Sequence, residues 1–260
     1  MGKRKKSALA EDSPMNYTIV CPVYNEENLL PQTLPSIYAL NPDEIIFGLD
    51  RCIDGSKDLI LSEASRHTQT NTKIIEYEKE DGQGWAFRSA YLRRDAYRRA
   101  RNDVILNTSA DLRLDPEIKQ HLSLIPRYAL VSFGYLERNI QAYLRIIISE
   151  TSLIHGFAGL LAFSKTAWEN TEDLEDLKKI PRAEDTHLQQ AIMSSYPTTH
   201  INTRSFHLRP NEDKIDHYHR GEAMWQQLHR SPIHVFLHSL VMVRPACFTG
   251  YCHARYHRHD

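Results

Sequence analysis

At 260 residues with 41% hydrophobic content, the chain is long enough to bury a substantial core, and one domain of α/β type is the default. Lys and Arg total 32 against 33 Asp and Glu, a formal charge of -1, so no global basic field argues for nucleic acid as a partner. No stretch approaches the roughly 20 apolar residues of a spanning helix, and Cys21, Cys52, Cys247 and Cys252 are too few and too scattered for a secreted disulfide framework.

The first six residues, Met1-Gly2-Lys3-Arg4-Lys5-Lys6, are basic, but no apolar core follows them as in a signal peptide; residues 1–14 read as a disordered basic tail. Tyr17 to Val23 is a first strand, rich in β-formers. Its exit, Tyr24-Asn25-Glu26-Glu27-Asn28, leads to Leu29, Leu34, Ile37, Tyr38 and Leu40 on a helical period, with Pro31 in the first turn and Pro35 expected to kink or shorten the helix. That exit lacks the glycine-rich turn of a dinucleotide-binding Rossmann fold. Glu44 to Asp50 is the second strand. Asp50 ends it as an acid that either accepts a hydrogen bond from a ribose or base, or serves as an ordinary turn aspartate. The turn Arg51-Cys52-Ile53-Asp54-Gly55-Ser56 opens a helix through Ala64.

Lys73 to Tyr77 is a third strand. Gly82 and Gly84 then precede a helix, where backbone N–H groups and the positive helix end suit a phosphate, although a plain turn is the simpler reading. Arg88 lies near enough to those glycines to reach an anion. The fourth strand, Val104 to Leu106, gives way to small polar residues and releases Asp111 at its tip. Asp115 and Pro116 suit the N-cap and first position of a new helix. Four alternations of strand and helix favour a parallel sheet covered on both faces, and a carboxylate at an inner strand's C-terminal end stands where such sheets bind ligands.

Further on, Tyr128 to Phe133 reads as a strand, Ile140 to Thr151 as an amphipathic helix, and His155 to Phe163 as a loop feeding a strand. Arg182 to Ile192 starts a helix with the paired acids Glu184 and Asp185 in its first turn, which the helix dipole alone would favour. Ten of the 14 histidines fall after residue 199. Cys247, Cys252, His253, His257 and His259 are spaced too loosely for a closed zinc site. Ile233 to Val243 covers the core by default, with contact to a membrane surface as the alternative.

Taken together, these motifs resemble glycosyltransferase family 2 and its GT-A fold over roughly Tyr17 to Arg209. Ile19-Val20-Cys21-Pro22-Val23-Tyr24-Asn25-Glu26 resembles the family's opening strand, and Leu49-Asp50-Arg51-Cys52-Ile53-Asp54-Gly55-Ser56 its second-strand motif. Asp81 to Ala86 resembles the glycine-containing segment, Ser109-Ala110-Asp111 takes the place of the Asp-x-Asp metal motif, and Glu184-Asp185 that of the acidic pair with the catalytic base. The resemblance implies a GT-A, Rossmann-like, mostly parallel central sheet with helices on both faces. It implies a catalytic domain over 15–210, with 211–260 a His-rich, helical C-terminal extension packed on the same domain.

By the same resemblance, the activity is inverting, metal-assisted transfer of a sugar from a nucleotide-diphosphate donor to an acceptor hydroxyl or lipid phosphate. Asp185 is then the catalytic base with Glu184 beside it, and Mg²⁺ or Mn²⁺ is held by Asp111 and His207. The donor lies against Pro22, Tyr24, Asn25, Glu26, Asp50, Asp54, Gly84, Arg88, Ser109 and Ala110. Ser109 replaces the first acid of Asp-x-Asp, so the metal rests on Asp111. The implied partners are the donor and a saccharide, lipid or protein acceptor, in a cytoplasmic protein that can visit the inner face of a membrane. Two alternatives remain: a sugar-phosphate nucleotidyltransferase, disfavoured by the acidic first exit, and a non-catalytic nucleotide-sugar-binding module, motivated by Ser109.

Overall fold

The computed structural model describes residues 15–77, 85–136, 159–171, 184–209, 218–219, 221–222, 224–225, 230–241 and 245–256, the side chains of 85–88, 184, 186, 238 and 241 excepted. Strands β1 (Tyr17–Val23) and β2 (Glu44–Asp50) occupy their expected spans residue for residue. Each is buried along its whole length, which is why neither shows a polar alternation in the sequence. Helix α1 (Leu30–Ala39) carries Pro31 in its first turn and continues through Pro35 without ending there. After α2 (Ser56–Ala64) comes β3 (Asn71–Tyr77), then α3 (Trp85–Arg99) and β4 (Val104–Asn107).

Among the described residues, eight strands form one sheet in the order β3-β2-β1-β4-β7-β6-β8-β5. The first four run parallel. β7 (Leu161–Ser164) is antiparallel to both β4 and β6 (Leu130–Leu136), and β8 (Thr198–His207) runs parallel to β6. A two-residue β5 (Leu112–Arg113) closes the far edge antiparallel to β8. The sheet is thus mostly parallel, as expected, with antiparallel insertions. Strand order reverses between β1 and β4, and the crevice outside their carboxyl ends is the switch point where open α/β sheets receive ligands.

Alternate residues of β1 feed two cores. Ile19, Cys21 and Val23 pack with Leu30, Leu34 and Ile37 of α1 on one face. Val20 joins Ala96 and Tyr97 of α3, Trp168 of α5 (Lys165–Thr171), and Leu188 and Ile192 of α6 (Glu184–Ser195) in the other. Gly48 of β2 is required by that second face, because a Cβ there would sit 1.9 Å from Leu92 of α3. The short helix after Asp115 (α4, Ile118–His121) begins later than expected. The amphipathic helix expected over 140–151 lies outside the described residues.

The C-terminal helices, α7 (Pro232–Val241) and α8 (Pro245–Tyr256), share a small core of Met224, Val235, Cys247 and Tyr251. Gly221 and Gly250 permit backbone-to-backbone contact there: a Cβ would meet the Cys247 carbonyl oxygen at 1.8 Å or the Tyr218 carbonyl oxygen at 2.0 Å. No helix of the described residues is long and apolar enough to cross a membrane.

Candidate functional site

The exits of β1 and β2 are stitched into one rigid floor. Asn25 adopts a left-handed backbone (φ 52°), which its short side chain tolerates, and its Oδ1 accepts the Ile53 amide at 2.9 Å. The Glu26 amide donates to Ser56 Oγ at 2.8 Å, the Glu27 amide to Asp54 Oδ2 at 3.0 Å, and the Gly55 amide to Glu27 Oε2 at 2.6 Å. Asp54 also accepts the Ser56 amide at 3.1 Å at the start of α2. Burial works to raise its pKa, and the hydrogen bonds from Ser56 and the Glu27 amide outweigh that and lower it. Both Asp54 oxygens are therefore engaged in holding the two loops together. Asp50, 1% exposed at the tip of β2, takes a 3.3 Å hydrogen bond from Nε of Arg51, itself left-handed at φ 46°.

Asp111 is delivered by the third exit. The Thr108 amide donates to the Val20 carbonyl at 3.0 Å, which ties the end of β4 to β1. The chain then turns through Ser109 and Ala110 into β5, where Leu112 pairs with His207 of β8. The Leu208 amide donates to the Asp111 carbonyl at 2.9 Å and locks that register. As a result His207 Nε2 lies 3.2 Å from Asp111 Oδ2, and the Ser109 hydroxyl donates to Asp111 Oδ1 at 2.6 Å. Two residues past His207, the Arg209 guanidinium sits 3.7 Å from Asp111 Oδ2 and bonds Glu26 Oε1 across the crevice.

Asp115 explains how β8 reaches this position. Pairing of β8 with β6 is irregular between Gly134 and Leu136, and such a bulge leaves amides in need of partners. Asp115 Oδ2 accepts the Arg204 amide, 2.6 Å away, and Ser205 Oγ accepts the Asp115 amide at 3.0 Å. Oδ1 accepts the Glu117 amide at 3.0 Å, so the capping expected of Asp115 serves the turn before α4.

The electrostatics separate the two carboxylates. Burial would raise the pKa of Asp111, but the His207 hydrogen bond and charge, the Ser109 hydroxyl and Arg209 bring it down from 3.8 to about 2. Glu26 moves the other way: burial raises its pKa, with Asp111 and Asp54 adding to the rise against the opposing pull of Arg209. Asp111 is thus the group held firmly ionised at the crevice.

The remaining sequence candidates fall unevenly around this centre. Pro22 is buried one residue before the end of β1, Tyr24 is partly exposed at 38% beyond it, and Ala110 is buried beside Asp111. Asp185 stands in the first turn of α6, partly buried. Gly84 and the side chains of Arg88 and Glu184 lie outside the described residues. Arg209 was not singled out by sequence; its only signal is its place two residues after His207.

Asp111 and His207 offer one carboxylate and one imidazole to a cation, and the Ser109 hydroxyl is already spent on Asp111. Among the described residues, no group of three His, Cys, Asp or Glu is placed to hold a metal ion. Two protein donors suit a Mg²⁺ or Mn²⁺ ion whose other positions go to phosphate and water.

A family model described as Glycosyl transferase family 2 matches residues 18–149. No curated protein matches the chain in sequence. Its fold is similar to that of the mannosyltransferase PcManGT from Pyrobaculum calidifontis, solved with GDP-Man and Mn²⁺: TM-score 0.60, 18% identity, 93% of this chain and 70% of that one. It is also similar to S. aureus TarS 1-349 (TM-score 0.58, 13% identity, 85% of this chain and 70% of that one). A third similar structure is glucosyl-3-phosphoglycerate synthase from Mycobacterium tuberculosis with Mn²⁺, UDP and phosphoglyceric acid (TM-score 0.56, 15% identity, 90% of this chain and 79% of that one). At these identities the likeness is one of fold.

Proposed function

Because the chain belongs to glycosyltransferase family 2, we propose that it transfers a sugar, with inversion, from a nucleotide-diphosphate donor to an acceptor hydroxyl or lipid phosphate, assisted by Mg²⁺ or Mn²⁺. The observation that carries this reading is the cluster of Asp111, His207, Arg209 and Glu26 at the β1/β4 switch point. A leaving diphosphate must shed negative charge, and a cation held by Asp111 and His207 would supply Lewis acidity to it. Arg209 adds a planar, always-charged donor beside the same place, suited to a phosphate oxygen. The nucleotide lies against the stitched floor of β1 and β2, with the side chains of Tyr24, Glu26 and the buried Asp50 as its polar contacts, and Pro22, Asn25 and Asp54 shaping that floor. By their place in the sequence, Gly84 and Arg88 are assigned to the donor as well.

In the reaction the acceptor is deprotonated as it attacks the anomeric carbon from the side opposite the diphosphate. Asp185 takes that proton, and Glu184 orients the acceptor. We assign the described helices of the C-terminal extension, α7 and α8, to the same domain and to the acceptor side. The printed ligands of the similar structures, GDP-Man with Mn²⁺ and UDP with Mn²⁺, support the donor and metal classes. Ser109 in place of the first acid of Asp-x-Asp motivates one competing reading, a module that binds nucleotide-sugar without turnover.

The test is release of nucleoside diphosphate from a panel of nucleotide-sugars with Mg²⁺ or Mn²⁺, for the wild type, Asp111→Ala and Asp185→Asn. Metal-dependent release, abolished in the first variant and reduced roughly 10²–10⁴-fold in the second, is expected. Pyrophosphate as product refutes it in favour of nucleotidyl transfer. Nucleotide binding without turnover refutes it in favour of the module.

A further inference from the structure

Helix α7 carries an apolar stripe that the protein leaves uncovered. Ile233, Phe236, Leu237 and Leu240 are 73%, 49%, 49% and 64% exposed. Their i, i+3, i+4, i+7 spacing places them within about 100° of arc on one side of the helix. The opposite side is covered by the protein: Val235 is fully buried against Met224, Cys247 and Tyr251, and Ser239 is 4% exposed. The stripe is held in place rather than loose, because Phe236 packs edge-on against Phe248 of α8 with ring centroids 5.3 Å apart. A helix that buries one side in its own small core and exposes four large apolar residues on the other is built for a second apolar phase.

The charge around the stripe says which phase. From Ala223 to His259 the sequence contains no Asp or Glu, but has Arg230, Arg244, Arg255 and Arg258 together with six histidines. The remainder of the chain is therefore net acidic, and this segment is cationic against the trend. Arg255 lies over the rings of Trp225 (5.3 Å) and the 66% exposed Tyr256 (5.4 Å), an amphipathic cluster of the kind that suits a headgroup layer. Glu222, just before this segment, is taken up by His219 (2.6 Å) and His253 (3.8 Å), and an apolar stripe in a segment that is otherwise cationic matches an anionic lipid surface, where the acyl chains take the stripe and the headgroups take the arginines.

We propose that α7 lies in the surface of an anionic bilayer, with Ile233, Phe236, Leu237 and Leu240 among the acyl chains. The stripe is about two turns long on a 10-residue helix and enters one leaflet only; it does not span.

The test is co-sedimentation of the full chain, without donor or metal, with vesicles of phosphatidylcholine alone and with about one third phosphatidylglycerol. Pelleting with the anionic vesicles, falling as NaCl is raised, is expected. Ile233→Ser/Leu240→Ser should weaken it roughly tenfold while leaving the far-ultraviolet spectrum and thermal midpoint unchanged, since these side chains are 73% and 64% exposed. If that pair perturbs folding, Ile233→Ser/Leu237→Ser tests the same stripe. Wild-type protein that stays in the supernatant, or folded variants that pellet like it, overturns the proposal. So does a concentration-dependent dimer that the substitutions abolish in the absence of vesicle binding, because the stripe is then covered by a second copy. None of these outcomes depends on turnover, so the glycosyl-transfer reading stands or falls separately.

Discussion

Arg209 reaches the Asp111 carboxylate proposed to hold the metal, and removing it should change two affinities in opposite directions. Its Nε lies 3.7 Å from Asp111 Oδ2, while its other nitrogen bonds Glu26. At that separation a unit charge pair is worth about 1 kcal/mol in water and about 4 kcal/mol at an effective dielectric of 20. The Arg209 side chain is 52% exposed, so the aqueous end of that range applies. A divalent ion arriving at Asp111 must displace this contact. In Arg209→Ala, Mn²⁺ alone should therefore bind about fivefold more tightly, the equivalent of roughly 1 kcal/mol. The displaced guanidinium is proposed to go to the diphosphate, where a charge-assisted hydrogen bond contributes about 1.5–3 kcal/mol. UDP or GDP in the presence of Mn²⁺ should accordingly bind at least about tenfold more weakly to the variant. Arg209→Lys should leave the Mn²⁺ affinity unchanged and lose part of the nucleotide affinity, because it keeps the charge without the planar fork. Calorimetric titration of Mn²⁺ first, and of each nucleotide afterwards, reads both numbers on one sample. If both affinities fall together, or neither moves, Arg209 has no part in exchanging between Asp111 and the diphosphate.

Asp111 should also register in stability. Its folded pKa of about 2 lies below its ordinary 3.8, so its contribution is complete above pH 3.8 and is lost as the pH falls toward 2. A shift of that size corresponds to ~2 kcal/mol. In chelator, Asp111→Asn should be less stable than wild type by about that amount at pH 7, with the gap narrowing at pH 3; urea midpoints at the two pH values check it, and a constant gap refutes the electrostatic origin. Glu44 is the stability control remote from the crevice, buried at the opposite end of β2 with donors from Thr18 Oγ1 (2.8 Å), the Arg101 amide (2.9 Å) and Lys73 Nζ (2.7 Å). Glu44→Gln turns an oxygen that accepts these donors into one more donor and should cost roughly 2–4 kcal/mol, seen as a lower thermal midpoint with nucleotide affinity of the folded protein unchanged.

The strands that build the crevice floor were legible because burial on both faces writes them as short apolar runs, and β1 and β2 are buried at every position. Asp111 and Asp50 were legible for the same reason: each is the first acid after such a run. β8 was not, because Thr198 to His207 is mostly polar and only Ser205 within it is fully buried. Missing β8 concealed the partner set of Asp111. His207 was reached only through the resemblance, and Arg209 not at all, since both depend on Leu112 pairing with His207. That pairing rests in turn on Asp115 satisfying the β8 bulge, a long-range contact that no local pattern encodes.

Ser109 is where sequence and structure give different weights to one residue. Read from the motif, a serine in place of the first acid is a deficit, one negative charge fewer for the cation. In the structure its hydroxyl donates to Asp111 Oδ1 at 2.6 Å, and that bond is one of the interactions holding the Asp111 carboxylate ionised. A second carboxylate at position 109 would place like charge against Asp111 and raise its pKa in the absence of metal. The serine instead fixes one oxygen of Asp111 and leaves Oδ2, the oxygen facing His207 and Arg209, to meet a cation. On the proposed reading the site would trade affinity for metal alone against a preset carboxylate, and a cation would be best retained when diphosphate supplies the missing charge.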